Sequence, residues 1–112
     1  MTDLSFIRIQ KQIIDLTFEG SFNRILTLIN EVEQDYPNHW NQLYFWKVSV
    51  LATLGDYAQA LITLEAAIEK GCWWDPKQLL EATDLYPLHP YQEFHSIVKT
   101  CRRRCLRKAS IL

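Results

Sequence analysis

A glycine, a short polar residue and an aromatic ring stand together twice, as Gly20-Ser21-Phe22 and as Gly55-Asp56-Tyr57, 35 residues apart. This recurrence constrains the fold more than any other feature, because periods of about 20–50 residues mark supersecondary units that stack on one another. Shifting the sequence by that period places Ile9 on Tyr44, Ile13 on Val48 and Leu16 on Leu51. Beyond the glycine it places Phe22 on Tyr57, Ile25 on Ala60, Leu26 on Leu61, Ile29 on Leu64 and Val32 on Ala67. These positions recur at steps of three and four, the spacing that gathers side chains on one face of an α-helix. Each unit therefore reads as two antiparallel helices joined at the glycine. Neither helix can bury its stripe alone, so the units must stack.

Local signals give expected helices at about 4–19, 22–35, 39–54 and 57–70. Asp3, Ser21, Asn38 and Asp56 are expected to cap them at their N-termini. Pro37 is expected to end the second helix, and Gly71 to supply a left-handed C-terminal cap for the fourth. After residue 71 the period breaks. Asp75-Pro76 is a cap followed by proline at the first helical position, which starts a short helix near 76–82. Pro87 and Pro90 predict an extended connector over Asp84–Pro90. Phe94, Ile97, Val98, Cys101 and Cys105 then share one face of a last helix at about 91–107. The expected fold is all-α: a short right-handed α-solenoid of two helical hairpins, a short helix and a C-terminal capping helix. It forms one domain, with repeat 1 at about 4–37, repeat 2 at about 38–71 and the capping segment at 72–112.

Laid out this way, the sequence resembles the tetratricopeptide repeat (TPR) family, whose pattern is a W-x2-L-G-x2-Y block, then A-x3-F, then a small residue and a proline. The second copy supplies Gly55-Asp56-Tyr57, Ala60, Leu64 and Ala67, and the first supplies Gly20-Ser21-Phe22, Ile25, Ile29, Val32 and Pro37. Gln12-Ile13 and Lys47-Val48 stand where the first block has Leu-Gly, so the second helices carry the resemblance. The segment with Gly71, Trp73-Trp74 and Asp84-Leu85-Tyr86-Pro87-Leu88 before Phe94 is similar to the closing segment of some bacterial TPR-like regions. The resemblance covers about residues 5–100 and implies a scaffold. Such regions can precede an α/β-hydrolase or peptidase domain, but the sequence contains no Gly-x-Ser-x-Gly elbow and 112 residues leave no room for that domain.

Composition narrows the function classes. The N-terminus lacks a basic region followed by an apolar run, and no apolar stretch is long enough to span a bilayer, so a cytoplasmic setting without membrane contact is expected. Three cysteines without a C-x-x-C pair fit free thiols in a reducing compartment. With His39, His89 and His95 they match no zinc spacing, and Cys101 and Cys105 read as small core-facing residues. His89 reads as a helix cap or an exposed side chain. The acid pairs Glu31/Glu33 and Glu65/Glu69 read as solvated faces. No phosphate loop is present, and neither enzyme activity, metal nor cofactor is expected.

The net charge of −1 conceals an acidic body and a tail over residues 99–112 with six cations, Lys99, Arg102, Arg103, Arg104, Arg107 and Lys108, and no acid. The tail reads as a solvated helix end, with Arg102, Arg103, Arg104 and Arg107 available for electrostatic docking onto an acidic partner. A nucleic-acid partner is opposed by the acidic body. In stacked hairpins the first helices line the inner face. That places Ile7, Gln10, Ile14, Thr17 and Phe18 with Gln42, Phe45, Ser49 and Thr53 on the expected partner-binding surface. This apolar and neutral set suits a peptide or a partner helix. Coverage of Ile14 and Phe18 by the capping helix is the competing expectation. Of Trp73 and Trp74, one packs between repeat and cap and the other is offered to a partner, or both are buried. The function expected is a protein-interaction scaffold. Its alternatives are a self-associating module, most simply a two-fold homodimer, or an accessory domain of a hydrolase.

Overall fold

The computed structural model describes the backbone of residues 2–111 and the side chains of residues 4–104. Among the described residues all regular structure is helical and no strand occurs. Six α-helices follow one another: α1 (Thr2–Glu19), α2 (Phe22–Val32), α3 (Trp40–Thr53), α4 (Tyr57–Glu69), α5 (Pro76–Glu81) and α6 (Gln92–Ile111). The all-α reading is correct.

The repeated turn has one physical form. Gly20 and Gly55 sit at φ 75° and 84°, in the left-handed region that other L-residues avoid. At each turn the glycine N–H donates three residues back, Gly20 to Thr17 C=O at 3.0 Å and Gly55 to Ala52 C=O at 3.0 Å. The following N–H reaches five back, Ser21 to Leu16 C=O and Asp56 to Leu51 C=O, both at 2.9 Å. This is a Schellman closure, which satisfies the last carbonyls of one helix while reversing the chain into the next. Gly71 closes α4 the same way, with Cys72 N–H donating to Ala67 C=O at 2.9 Å.

Several caps differ from expectation. Asp56 Oδ1 accepts from Gln59 N–H, and Asp75 Oδ1 from Lys77 N–H, as their positions predict. Ser21 makes no side-chain cap bond. Asn38 does not cap α3. It lies inside a 3₁₀ turn, Pro37–His39, that leads into the helix with His39 at the N-cap. The capping role expected of Asp3 falls outside the described side chains. Helix α2 stops at Val32 and is followed by a 3₁₀ turn, Glu33–Asp35. Glu33 is not solvated: its Oε2 is buried 3.9 Å from Lys47 Nζ.

The largest correction concerns Thr83–Leu88, which is a 3₁₀ helix rather than an extended connector. Proline tolerates this because its fixed φ matches 3₁₀ geometry. A helix with three residues per turn also puts Leu85 and Leu88 on one side, and both are fully buried.

The molecule is a slab of 40 × 36 × 20 Å, about two helix diameters thick. Helix α3 runs between two cores and buries apolar side chains in both. Leu43 and Val50 join Phe6, Ile13, Ile25 and Ile29 in one core, while Tyr44, Val48 and Leu51 join Leu64, Leu79, Leu85, Leu88 and Phe94 in the other. Each such fully buried side chain contributes about 1.5–3 kcal/mol. Phe6 ties α1 to the segment before α3, stacking on the His39 ring at 3.8 Å and 6°. Ala60 and Ala67 are fully buried on α4, where the α3–α4 contact is the most extensive in the molecule.

Candidate functional site

The sequence after Gly71 folds back across the start of α3, and Asn41 holds it there. Its side-chain Oδ1 accepts from Trp73 N–H at 3.1 Å, and its backbone carbonyl accepts from Trp74 Nε1–H at 2.9 Å. Trp73 Nε1–H donates to Cys101 C=O at 2.9 Å, which joins the same segment to α6. Trp74 is buried and its ring lies 6.2 Å from that of Phe45, whereas Trp73 is half-buried. The two adjacent tryptophans thus divide as their sequence position requires, one in the core and one at its edge.

This arrangement leaves an open groove of about 900 Å³. Gln10, Ile13, Ile14 and Thr17 of α1 form one side, with Phe22 at the α1–α2 turn. Asn41, Gln42, Phe45, Trp46, Ser49, Val50 and Thr53 of α3 form the floor. Trp73, Trp74, Asp75, Gln78 and Asp84 close the other side. Seven residues expected on the inner face therefore come together here: Gln10, Ile14, Thr17, Gln42, Phe45, Ser49 and Thr53. Ile7 and Phe18 do not reach it. They are exposed on the far face of α1, at 55% and 87%, and α6 covers neither them nor Ile14, which is 47% exposed.

Sequence reasoning missed the second wall. Asn41, Asp75, Gln78 and Asp84 come from segments that the repeat does not describe. Asp75 and Asp84 make the groove acidic, and no Lys or Arg stands among its lining residues. Its chemistry is that of aromatic and amide surface with two carboxylates at one edge, a setting for an apolar segment with a neutral or cationic flank.

The basic tail has a structural member. Arg104 donates through Nη1 to Cys72 C=O at 3.2 Å and through Nη2 to Ile68 C=O at 3.4 Å. It therefore meets the negative end of α4, not that of its own helix. Arg102 and Arg103 are exposed. The Arg107 and Cys105 side chains lie outside the described residues.

The remaining candidates for chemistry disperse. Cys72 and Cys101 are buried, and burial pushes both thiols up from their ordinary value. His95 Nε2 lies 2.6 Å from His89 C=O, and the His89 ring stacks on Phe94 at 5.0 Å. Lys70 lies over the Trp40 ring at 5.1 Å, and a hydrogen bond to Tyr44 holds its pKa above the ordinary value. Among the described residues no three His, Cys, Asp or Glu side chains gather as a metal site, and no helix is long and apolar enough to cross a membrane.

Residues 5–109 match the model of a family described as A/B hydrolase-like, N-terminal domain. A solved structure of a protein from Bacillus cereus ATCC 10987, described as uncharacterized, is similar to this chain at 25% identity with a TM-score of 0.82. The similarity covers 94% of this chain and 34% of that one, so the chain spans about a third of the solved relative. No curated protein matches the chain.

Proposed function

The chain belongs to the family of A/B hydrolase-like N-terminal domains, and from that membership we propose that it is a non-catalytic helical module that packs against an α/β-hydrolase-like domain. The contact is made by the groove between α1, α3 and the Trp73–Asp84 segment. The observation that carries this reading is the family match over residues 5–109, joined to a solved relative three times as long as the matched part. A module of that kind supplies a preformed surface and leaves the chemistry to its neighbour.

The groove suits this role for two reasons. Its floor is fixed: Trp74 is buried, Asn41 pins both tryptophans, and the α3 backbone beneath is sandwiched between two cores. A partner segment then loses its own freedom on binding while the module loses little. Exposed Gln42 and Thr53 and half-buried Gln10 and Ser49 offer amide and hydroxyl groups around the Phe45 ring, which selects an apolar anchor bordered by backbone polar groups. Reading the two hairpins as TPR-like units belongs to the same proposal, since equal Schellman turns set equal hairpins side by side.

The test separates the module from an enzyme and the groove from the rest of the surface. The purified chain is expected to leave p-nitrophenyl acetate unhydrolysed. Mixed with the separately expressed part of the solved relative that lies outside the matched third, it is expected to elute as a one-to-one complex. Gln42→Trp and Thr53→Trp, both at exposed positions, should fill the groove and abolish that complex without changing the helical circular dichroism. Ester turnover by the chain alone, or a complex indifferent to both substitutions, would overturn the reading.

A further inference from the structure

Helix α1 has two apolar faces. Phe6, Ile9, Ile13 and Leu16 point into the core or lie against it. Leu4, Ile7, Ile14 and Phe18 lie on the opposite side, 73%, 55%, 47% and 87% exposed. With Lys11 these outer positions follow steps of three, four, three and four, the spacing of a helix–helix seam. Among the described residues the other exposed large apolar side chains, Leu54, Ile62, Tyr86 and Tyr91, are scattered. This ridge of four apolar side chains, with Lys11 at its middle, runs along an 18-residue helix about 27 Å long, and such an apolar patch marks an interaction surface.

We propose that this ridge pairs with the same ridge of a second copy, antiparallel about a two-fold axis. Charge sets the direction. Arg8 and Asp15 occupy equivalent positions one heptad apart on one flank of the seam, of opposite charge, and both are exposed. In an antiparallel pair Arg8 of each copy faces Asp15 of the other, giving two reciprocal ion pairs. The register that centres the seam sets Ile7 against Phe18 and Lys11 against Ile14. The Lys11 stem then lies along an apolar neighbour with its ammonium at the rim. A parallel pair would set Lys11 against Lys11 at the centre of the contact, which like-charge repulsion disfavours. Ile14 borders both the ridge and the groove, whereas Ile7 and Phe18 do not line the groove, so substitutions at Ile7 and Phe18 test the pairing separately from the function proposed for the groove.

Sedimentation equilibrium up to about 100 µM tests this, a range that reveals a micromolar dimer. The expected mass is twice the 13.2 kDa of one chain. Ile7→Glu and Phe18→Glu should each weaken dimerisation about a hundredfold or more while leaving the melting of the exposed-site monomer intact. Arg8→Asp should weaken it, and Arg8→Asp combined with Asp15→Arg should restore it. A wild-type monomer throughout, or a dimer untouched by both glutamate variants, overturns the proposal. A charge swap that fails to restore the dimer overturns the antiparallel register. A monomer whose binding to the hydrolase-like domain is abolished by Phe18→Glu would assign the ridge to that domain instead.

Discussion

Small side chains and buried polar atoms decide how closely the elements meet. Ala60 is fully buried at the α3–α4 contact, so Ala60→Leu should overpack it and cost about 1–3 kcal/mol in denaturant unfolding. An unchanged midpoint would mean that α4 has room there. The Cys72 and Cys101 thiols have pKa values raised by burial above the ordinary 9.0. A raised thiol pKa means the native state holds the proton more tightly than the unfolded one, so the contribution to stability is complete below that ordinary value and is lost as pH rises above it. Replacing both with Ala should therefore flatten the alkaline fall in stability. In a Cys105→Ser background neither thiol should react readily with DTNB until denaturant is added, and prompt native reaction of either would contradict their burial. Phe6 shows where residue-level reading fell short. It lies three positions before Ile9 and extends that stripe, yet its principal partner is His39, a contact that no local spacing announces.

At the scale of elements, the helices were legible because two strong signals coincide, the three-and-four periodicity and a glycine at each turn. The structure adds no neighbour within 4 Å of a Cβ built on Gly55, so Gly55→Ala should cost about 1 kcal/mol from left-handed backbone strain alone, with Gly55→Asn milder. Thermal melts of the two variants check the ranking, and equal loss for both would point to crowding at the turn. What could not be read locally is what joins elements distant in sequence. Thr83–Leu88 carries a proline and reads as extended, but burial of Leu85 and Leu88 favours the 3₁₀ turn. Arg104 belongs to a basic run that reads as solvated, yet it satisfies carbonyls of α4 and its exit, up to 36 residues away. Arg104→Met, which keeps an apolar stem, should cost about 1–3 kcal/mol because those carbonyls lose a charged donor. Arg102→Met, at an exposed position, should cost far less.

At the scale of the whole molecule, half of the candidate site was visible in the sequence. Of the nine α1 and α3 residues that the repeat placed on the inner face, seven meet in the groove, while Ile7 and Phe18 lie outside it. The opposite wall was hidden because it is made by Trp73, Asp75, Gln78 and Asp84, whose placement rests on the Asn41 clasp across 32 residues of sequence. The same clasp makes the groove an open, firmly built surface, on which the proposed docking role rests. Hydrogen–deuterium exchange of the chain with and without the part of the solved relative outside the matched third tests the proposed docking role most directly. Protection is predicted for the backbone amides of 41–53 and 73–84, with α2 and the outer turns of α4 unchanged; protection confined to α2 and α4, or none at saturating partner, would contradict it.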